Sequence, residues 1–214
     1  MLVDHLRVGM LACNCTIIGD EESREAIVVD GGDGADEVLE RLDTLNLRAK
    51  YLVHTHAHID HIREVGRLRE ATRSSALLHH EDLPLYRDLG LQAQMFGLGA
   101  APQIVDLDAY LVDGEALQIG SVTVNVLHTP GHTPGSVCFE MHEGGRHTIL
   151  SGDTLFRGGI GRWDIGGTSM EDIVSSIHRK LLDFNDDTVV VPGHGPFTTI
   201  GTERTSNPYL QASP

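Results

Sequence analysis

The octapeptide HTHAHIDH, residues 54–61, places four histidines and one aspartate within eight residues. It directly follows the apolar run YLV (51–53), which predicts the end of a short buried strand. Burying imidazole and carboxylate groups without partners is costly, so something is expected to receive them. Because imidazole nitrogen and carboxylate oxygen together suit borderline divalent metals, the H-x-H-x-D-H spacing predicts a metal site.

Three further candidate ligands follow predicted strands in glycine-containing loops, where the backbone can approach a ligand closely. They are His132 in TPGHTPG (129–135), Asp153 in SGDT (151–154) and His194 in PGHGP (192–196). The full set of candidate metal ligands is His56, His58, Asp60, His61, His132, Asp153 and His194. Seven donors exceed the need of one tetrahedral ion. Shared between two ions they give about three each and a bridging carboxylate, a known hydrolytic arrangement.

The elements that must position these residues are mostly strands. Short apolar, β-branched stretches predict strands at 15–18, 26–30, 50–53, 75–79, 122–127, 136–141, 147–151 and 188–191. Helical periodicity predicts helices over 34–46, 61–71 and 169–182, the last with Ser169 as N-cap. Segment 81–105 fits one short helix and a loop. No repeat and no linker is evident, which predicts a single domain over residues 1–214.

Composition excludes several classes of partner. The chain has 214 residues, is 40% hydrophobic and carries a formal charge of −15, so it is expected to repel nucleic acid and anionic lipid. No apolar run approaches the ~18 residues of a membrane span, and the N-terminal segment lacks the pattern of a signal peptide. An odd, low cysteine count fits a reducing compartment, and the predicted location is cytoplasmic. Cys13 and Cys15 are expected to be buried strand residues, with a redox pair or metal ligands as the alternative.

The motifs resemble those of the metallo-β-lactamase superfamily. The resemblance rests on THAHIDH (55–61), GH (131–132), SGDT (151–154) and PGHGP (192–196), and it runs over nearly the whole chain. Segments 152–164, 192–201 and 203–210 are similar to the glyoxalase II-like group that lacks a C-terminal helical domain. This resemblance implies an α+β fold, an αββα sandwich of two mixed β-sheets flanked by helices. The active site would lie at one edge, between the sheets.

The resemblance also implies a role for each candidate ligand. Carried over by position, the first-metal ligands would be His56, His58 and His132, the second-metal ligands Asp60, His61 and His194, and the bridging carboxylate Asp153. The two divalent ions would be zinc, with iron or manganese accepted by the same donors. Catalysis would depend on His58, Asp60 and Asp153. A metal-bridging hydroxide would attack a thioester carbonyl, and the thiolate would leave without a general acid.

The implied substrate is a small-molecule thioester. The resemblance favours a hydroxyacylglutathione hydrolase (glyoxalase II) type of activity on S-lactoylglutathione or a related acyl thioester. Arg162 fits a basic substrate-binding position, although Asp164 stands where glyoxalase II has a tyrosine and a salt bridge between the two is the alternative.

An alternative function is a persulfide dioxygenase, which the G-R-x-D run also resembles. Its single iron would be held by His56, His132 and Asp153. A true β-lactamase is disfavoured because such enzymes are usually exported. The sequence leaves metal identity and oligomeric state open.

Overall fold

The computed structural model describes residues 1–164 and 168–211. They fall into two compact units. The first unit comprises residues 1–111 with 118–122, and the second comprises 112–117 with 123–214. The single domain over residues 1–214 stays a prediction.

The first unit is built on a six-stranded mixed sheet with strand order β1-β2-β3-β4-β5-β6. These strands are β1 (Leu2–Val8), β2 (Cys13–Gly19), β3 (Glu25–Val29), β4 (Arg48–Val53), β5 (Ser75–His79) and β6 (Ala109–Leu111). Its helices are α1 (Ala35–Thr44), α2 (Ile59–Ile62), α3 (Val65–Thr72), α4 (Leu83–Arg87) and α5 (Leu89–Met95). The first three strands are antiparallel, and β3 to β6 run parallel.

The helix predicted over 61–71 is interrupted in the structure. It is divided into α2 and α3, with Arg63 and Glu64 between them. Gly32 N–H donates to the carbonyl of His61 at 3.1 Å, and Glu64 N–H donates to the carbonyl of Gly32 at 2.9 Å. These exchanges with the loop after β3 replace local helical hydrogen bonds, and periodicity alone does not reveal them.

Other elements also differ from the predictions. Strand β1 was not predicted because its sequence, LVDHLRV, carries charged residues typical of an edge strand. The three-residue β6 is too short to produce a pattern. Segment 81–105, expected to hold one short helix, holds a 3-10 turn (His80–Asp82) followed by α4 and α5.

The second sheet also has six strands, in the order β14-β13-β10-β9-β8-β7, and β11 and β12 form a separate hairpin. The strands are β7 (Ala116–Ile119), β8 (Val122–His128), β9 (Val137–Glu143), β10 (Arg146–Gly152), β11 (Leu155–Phe156), β12 (Gly159–Ile160), β13 (Val189–Pro192) and β14 (Thr198–Thr199). The remaining helices are α6 (Met170–Lys180), α7 (Ile200–Ser206) and α8 (Pro208–Gln211).

Helix α6 begins where the sequence predicted. The Ser169 side chain accepts from Asp172 N–H, and the Asp172 side chain accepts from Ser169 N–H, so a complete capping box is present. Ile173 and Ile177 of α6 are fully buried in the apolar core of the second unit. The amphipathic face of α6 therefore covers the sheet of this unit.

These observations confirm the predicted fold class: an α+β protein with two mixed β-sheets flanked by helices. Within residues 1–164 and 168–211, every helix is too short or too polar to span a bilayer.

We expect Asp20→Asn to destabilise the protein at neutral pH. Hydrogen bonds from Ser23, Ser121 and Glu22 hold the pKa of Asp20 well below its usual range. A carboxylate whose pKa is lowered by folding stabilises the folded state at pH values above its unfolded-state pKa of about 3.9. This stabilisation is lost as the pH falls toward the folded-state pKa. Urea unfolding should therefore show a lower midpoint for Asp20→Asn at pH 7 and a smaller deficit near pH 3. Asp43→Asn, at an exposed site, is the control; a deficit independent of pH would contradict the prediction.

Candidate metal centre

In the first unit, the candidate ligands lie at the carboxyl ends of two neighbouring parallel strands. Val29 pairs with Val53, so β3 and β4 end at the same edge of the sheet. Asp30 follows β3, and the octapeptide follows β4. The parallel register thus brings Asp30 to the loop that carries His56, His58, Asp60 and His61.

His56 and His58 form one pair of donors. His56 Nε2 and His58 Nδ1 lie 3.0 Å apart. Two nitrogen ligands of one tetrahedral zinc ion are expected to lie about 3.3 Å apart, which is a similar distance. Thr55 Oγ1 donates to Asp30 Oδ2 at 2.7 Å, so Thr55 Oγ1 accepts from His56 Nδ1, 3.1 Å away. This chain places the proton of His56 on Nδ1 and leaves the lone pair on Nε2 for an ion.

Asp60 and His61 form the second pair of donors. His61 Nε2 lies 3.6 Å from Asp60 Oδ2, while His61 Nδ1 donates to Asp30 Oδ2 at 2.9 Å. Burial opposes the charged imidazolium, but Cys13 and Asp30, which both lie against the ring, outweigh it and raise the pKa of His61 well above its usual value. His61 therefore has one nitrogen fixed by the protein and the other directed at a carboxylate, as in a metal ligand with a supporting carboxylate.

Sequence reasoning missed Asp30. Its buried carboxylate accepts from Thr55 N–H at 2.8 Å as well as from Thr55 Oγ1 and His61 Nδ1. An aspartate followed by two glycines at a strand end, DGG (30–32), was a usable signal. Gly32 has φ +52°, and a Cβ there would lie 2.2 Å from the carbonyl oxygen of Asp60. The glycine therefore permits the close approach of this loop to the ligand loop.

Two buried polar side chains support the backbone of the ligand loop. Asp82 accepts from Ala57 N–H at 2.8 Å. Gln92 accepts from Ile59 N–H at 2.9 Å and donates to the Ala57 carbonyl at 3.1 Å. They fix the backbone on both sides of His58. Both lie in segment 81–105, where no sequence pattern predicted such a role.

His54 and Cys13 contact His61 from behind. His54 Nδ1 lies 2.9 Å from the His61 carbonyl, and burial lowers the pKa of His54 to about 4, which keeps the ring neutral. Cys13 Sγ lies 3.5 Å from His61 Nδ1, and burial raises the pKa of this thiol to about 11. Cys13 and Cys15 are fully buried on β2, which confirms the expectation of buried strand cysteines.

The second unit also brings candidate ligands to one sheet edge. Gly152 of β10 pairs in parallel with Pro192 of β13, so Asp153 and His194 follow neighbouring strand ends. Gly193 N–H donates to the carbonyl of Gly152 at 2.7 Å, which ties the two ligand loops together.

His132 is oriented by a backbone carbonyl. Its Nδ1 donates to the carbonyl of Arg162 at 2.8 Å, and its Nε2 lies 3.6 Å from Asp153 Oδ2. A Cβ on Gly161 would lie 1.8 Å from the carbonyl oxygen of Asp153 and 3.1 Å from His132 Cβ. Any side chain at position 161 would therefore displace the loop that orients His132.

Asp153 presents its two carboxylate oxygens to two different imidazoles. Oδ2 faces His132 Nε2 at 3.6 Å, and Oδ1 faces His194 Nε2 at 3.9 Å. A carboxylate that bridges two ions needs this divergence.

The predicted substrate residue Arg162 forms the alternative contact, a salt bridge. Its Nε and Nη2 donate to the two oxygens of Asp164 at 3.0 and 3.1 Å, and both side chains are largely exposed. Substrate binding by Arg162 stays a prediction.

The donor groups of each unit suit a divalent metal ion. The first unit offers three imidazoles and one carboxylate, and the second offers two imidazoles and one carboxylate. In His61 and His132, Nδ1 is bonded to a protein acceptor while Nε2 faces a carboxylate. This is the usual support of histidine metal ligands.

Comparisons with known proteins give the family. The model of the metallo-β-lactamase superfamily matches residues 8–194. A hydroxyacylglutathione hydrolase, GloC, of Haemophilus influenzae is 38% identical, and the match covers 99% of each chain. The human mitochondrial persulfide dioxygenase ETHE1 is 31% identical, over 95% of this chain and 74% of the relative.

Solved structures agree with this result. The B3 metallo-β-lactamase BLEG-1 has a TM-score of 0.88 at 32% identity and covers 99% of this chain and 100% of its own. The protein TTHA1623, solved in a di-iron-bound form, has a TM-score of 0.84 at 36% identity and covers 97% of this chain and 100% of its own. The fold implies binding of divalent metal. The chain belongs to the metallo-β-lactamase superfamily and is similar within it to the glyoxalase II-like group.

Proposed function

We propose that the chain is a binuclear metal-dependent thioesterase of the hydroxyacylglutathione hydrolase type. Its small-molecule substrate would be S-lactoylglutathione or a related acyl thioester. The observation that carries the proposal is the divergence of the Asp153 oxygens toward His132 and His194, which suits a bridge between two ions. The GloC relative, 38% identical, and the structure in a di-iron-bound form support it.

Two ions would occupy the seven-donor set. The first would be held by His56, His58 and His132, the second by Asp60, His61 and His194, with Asp153 shared. Zinc is proposed, and iron or manganese suits the same donors. When bound, the pair supplies an acidified water and polarises the substrate's carbonyl oxygen.

The chain's own residues position these groups and select the substrate. Asp30 and the Arg162 carbonyl hold the rings of His61 and His132 so that each Nε2 faces a carboxylate of the donor set. A thiol has a pKa of about 8.5, so the thiolate released from a thioester is a weak base. It can therefore leave without a neighbouring side chain to protonate it. The exposed Arg162 guanidinium could release Asp164 and bind a carboxylate of the substrate instead. Its positive charge would locally offset the repulsion between an anionic substrate and a chain of net charge −15.

The second candidate is oxidation of a glutathione persulfide. The relative named persulfide dioxygenase, at 31% identity, favours it. One iron on His56, His132 and Asp153 would suffice, so this candidate predicts one essential ion and stoichiometric oxygen consumption.

The first test is hydrolysis of S-D-lactoylglutathione by metal-loaded enzyme, measured as the decrease in thioester absorbance. We expect His58→Ala to lose roughly 1,000-fold in kcat/KM, because it removes a ligand on which the polarising charge depends. The control is His178→Ala, an exposed histidine of α6. Full activity and full metal content in His58→Ala would refute the proposal. No turnover by the wild type, with oxygen uptake on glutathione persulfide, would establish the second candidate instead.

A further inference from the structure

A tight β-hairpin in the second unit places two histidines directly opposite each other. In HEGGRH (142–147), Gly144 has φ +58° and Gly145 has φ +82°, as a type I′ turn requires. The turn fixes the register of β9 and β10, in which His142 pairs with His147. Directly opposed residues of antiparallel strands share a face, so both imidazoles lie on the same side of the sheet.

Glu140 lies on that face as well, because it is two residues from His142. His147 Nδ1 lies 2.6 Å from Glu140 Oε1, and His142 Nδ1 lies 3.9 Å from the same oxygen. The two ring centroids are 5.6 Å apart. Two imidazole nitrogens therefore converge on one carboxylate oxygen.

The second oxygen of the Glu140 carboxylate accepts a hydrogen bond from within the protein. Asn125 Nδ2 donates to Glu140 Oε2 at 2.6 Å, which orients the group and leaves Oε1 for the histidines. The Glu140 side chain is 6% exposed, whereas those of His147 and His142 are 34% and 56% exposed. The His147 ring also contacts Phe184, with centroids 5.5 Å apart. The donors are thus supported from within and open to solvent at the imidazoles.

We propose that Glu140, His142 and His147 bind a divalent transition-metal ion such as Zn²⁺, separate from the seven-donor centre. Two imidazole nitrogens and one carboxylate oxygen match the ligands such ions prefer, and solvent can complete the coordination. A bound ion would replace the direct contact between His147 Nδ1 and Glu140 Oε1. Arg146 lies on the opposite face by strand alternation, and the net charge of −15 favours a cation.

The test is a Zn²⁺ titration of enzyme whose seven-donor centre is already loaded, by equilibrium dialysis and calorimetry. We expect wild type to bind one more Zn²⁺ per chain than the His142→Ala/His147→Ala variant, or at least tenfold more tightly. His178→Ala, which removes one exposed histidine elsewhere in the second unit, should match wild type. Thioesterase activity is not the readout, so failure of the proposed function would leave this result interpretable.

Nitrogen-15 spectra of the histidine rings provide the second measurement and need no variant to fold. Zn²⁺ should shift the ring nitrogens of His142 and His147 together in the wild-type protein. Equal stoichiometry and affinity in wild type and double variant, or uptake that falls equally in His178→Ala, would mean adventitious surface binding only. Either result would overturn the proposal, as would ring signals that do not respond to Zn²⁺.

Discussion

Changing Asp153 to asparagine is expected to abolish most of the activity and to remove about one metal ion per chain. Asparagine keeps the shape but replaces one anionic oxygen with an amide nitrogen that cannot ligate. Because Oδ2 and Oδ1 face His132 and His194 separately, this change affects both halves of the bridge. A loss of several kcal/mol in charge stabilisation corresponds to at least roughly 1,000-fold in kcat/KM.

Metal analysis makes this experiment decisive between the one-ion and two-ion hypotheses. We expect wild type to hold two ions per chain and Asp153→Asn about one, measured by elemental analysis after dialysis. Asp187→Asn, an exposed carboxylate of the same unit, is the matched control and should leave metal content and turnover unchanged. Asp153→Asn with two ions and normal turnover would contradict the bridging role.

The second large effect is expected from Asp30→Asn, a residue that need not touch an ion. Its carboxylate holds His61 Nδ1 and, through Thr55, the tautomer of His56. An asparagine at this position would place its amide NH₂ group, a donor, against Thr55 Oγ1 or His61 Nδ1, which also donate. Losses of supporting groups of this kind typically cost about 10–100-fold in metal affinity.

Stability should fall as well, and it can be measured on metal-free protein. Asp30 is 2% exposed, and its three hydrogen bonds lie within the first unit. Leaving one buried donor without an acceptor costs roughly 2 kcal/mol of unfolding free energy. Urea unfolding of the apo form and competition with a metal chelator measure the two effects. Asp43→Asn, exposed on α1, is the control. Unchanged metal affinity in Asp30→Asn would refute the positioning role.

Local patterns predicted the parts of this protein that obey local rules. The capping box of Ser169 and Asp172 requires two residues three apart, and it formed as predicted. The strands before these ligand loops carry short buried apolar runs near their carboxyl ends, so the runs predicted strands without knowledge of their partners. Edge strands β1 and β6 were not predicted, because a charged segment and a three-residue segment lack a recognisable apolar pattern.

The sequence by itself determined the ligand types, their spacing and their positions at strand ends, because HTHAHIDH and the glycine loops are local features. Tertiary structure decided which groups support them. Asp30 reaches His61 across 31 positions, and Gln92 reaches Ile59 across 33. The Arg162 carbonyl reaches His132 across 30. Such contacts depend on which strands pair in parallel and in what register, and that pairing is a property of the whole sheet that no single segment encodes.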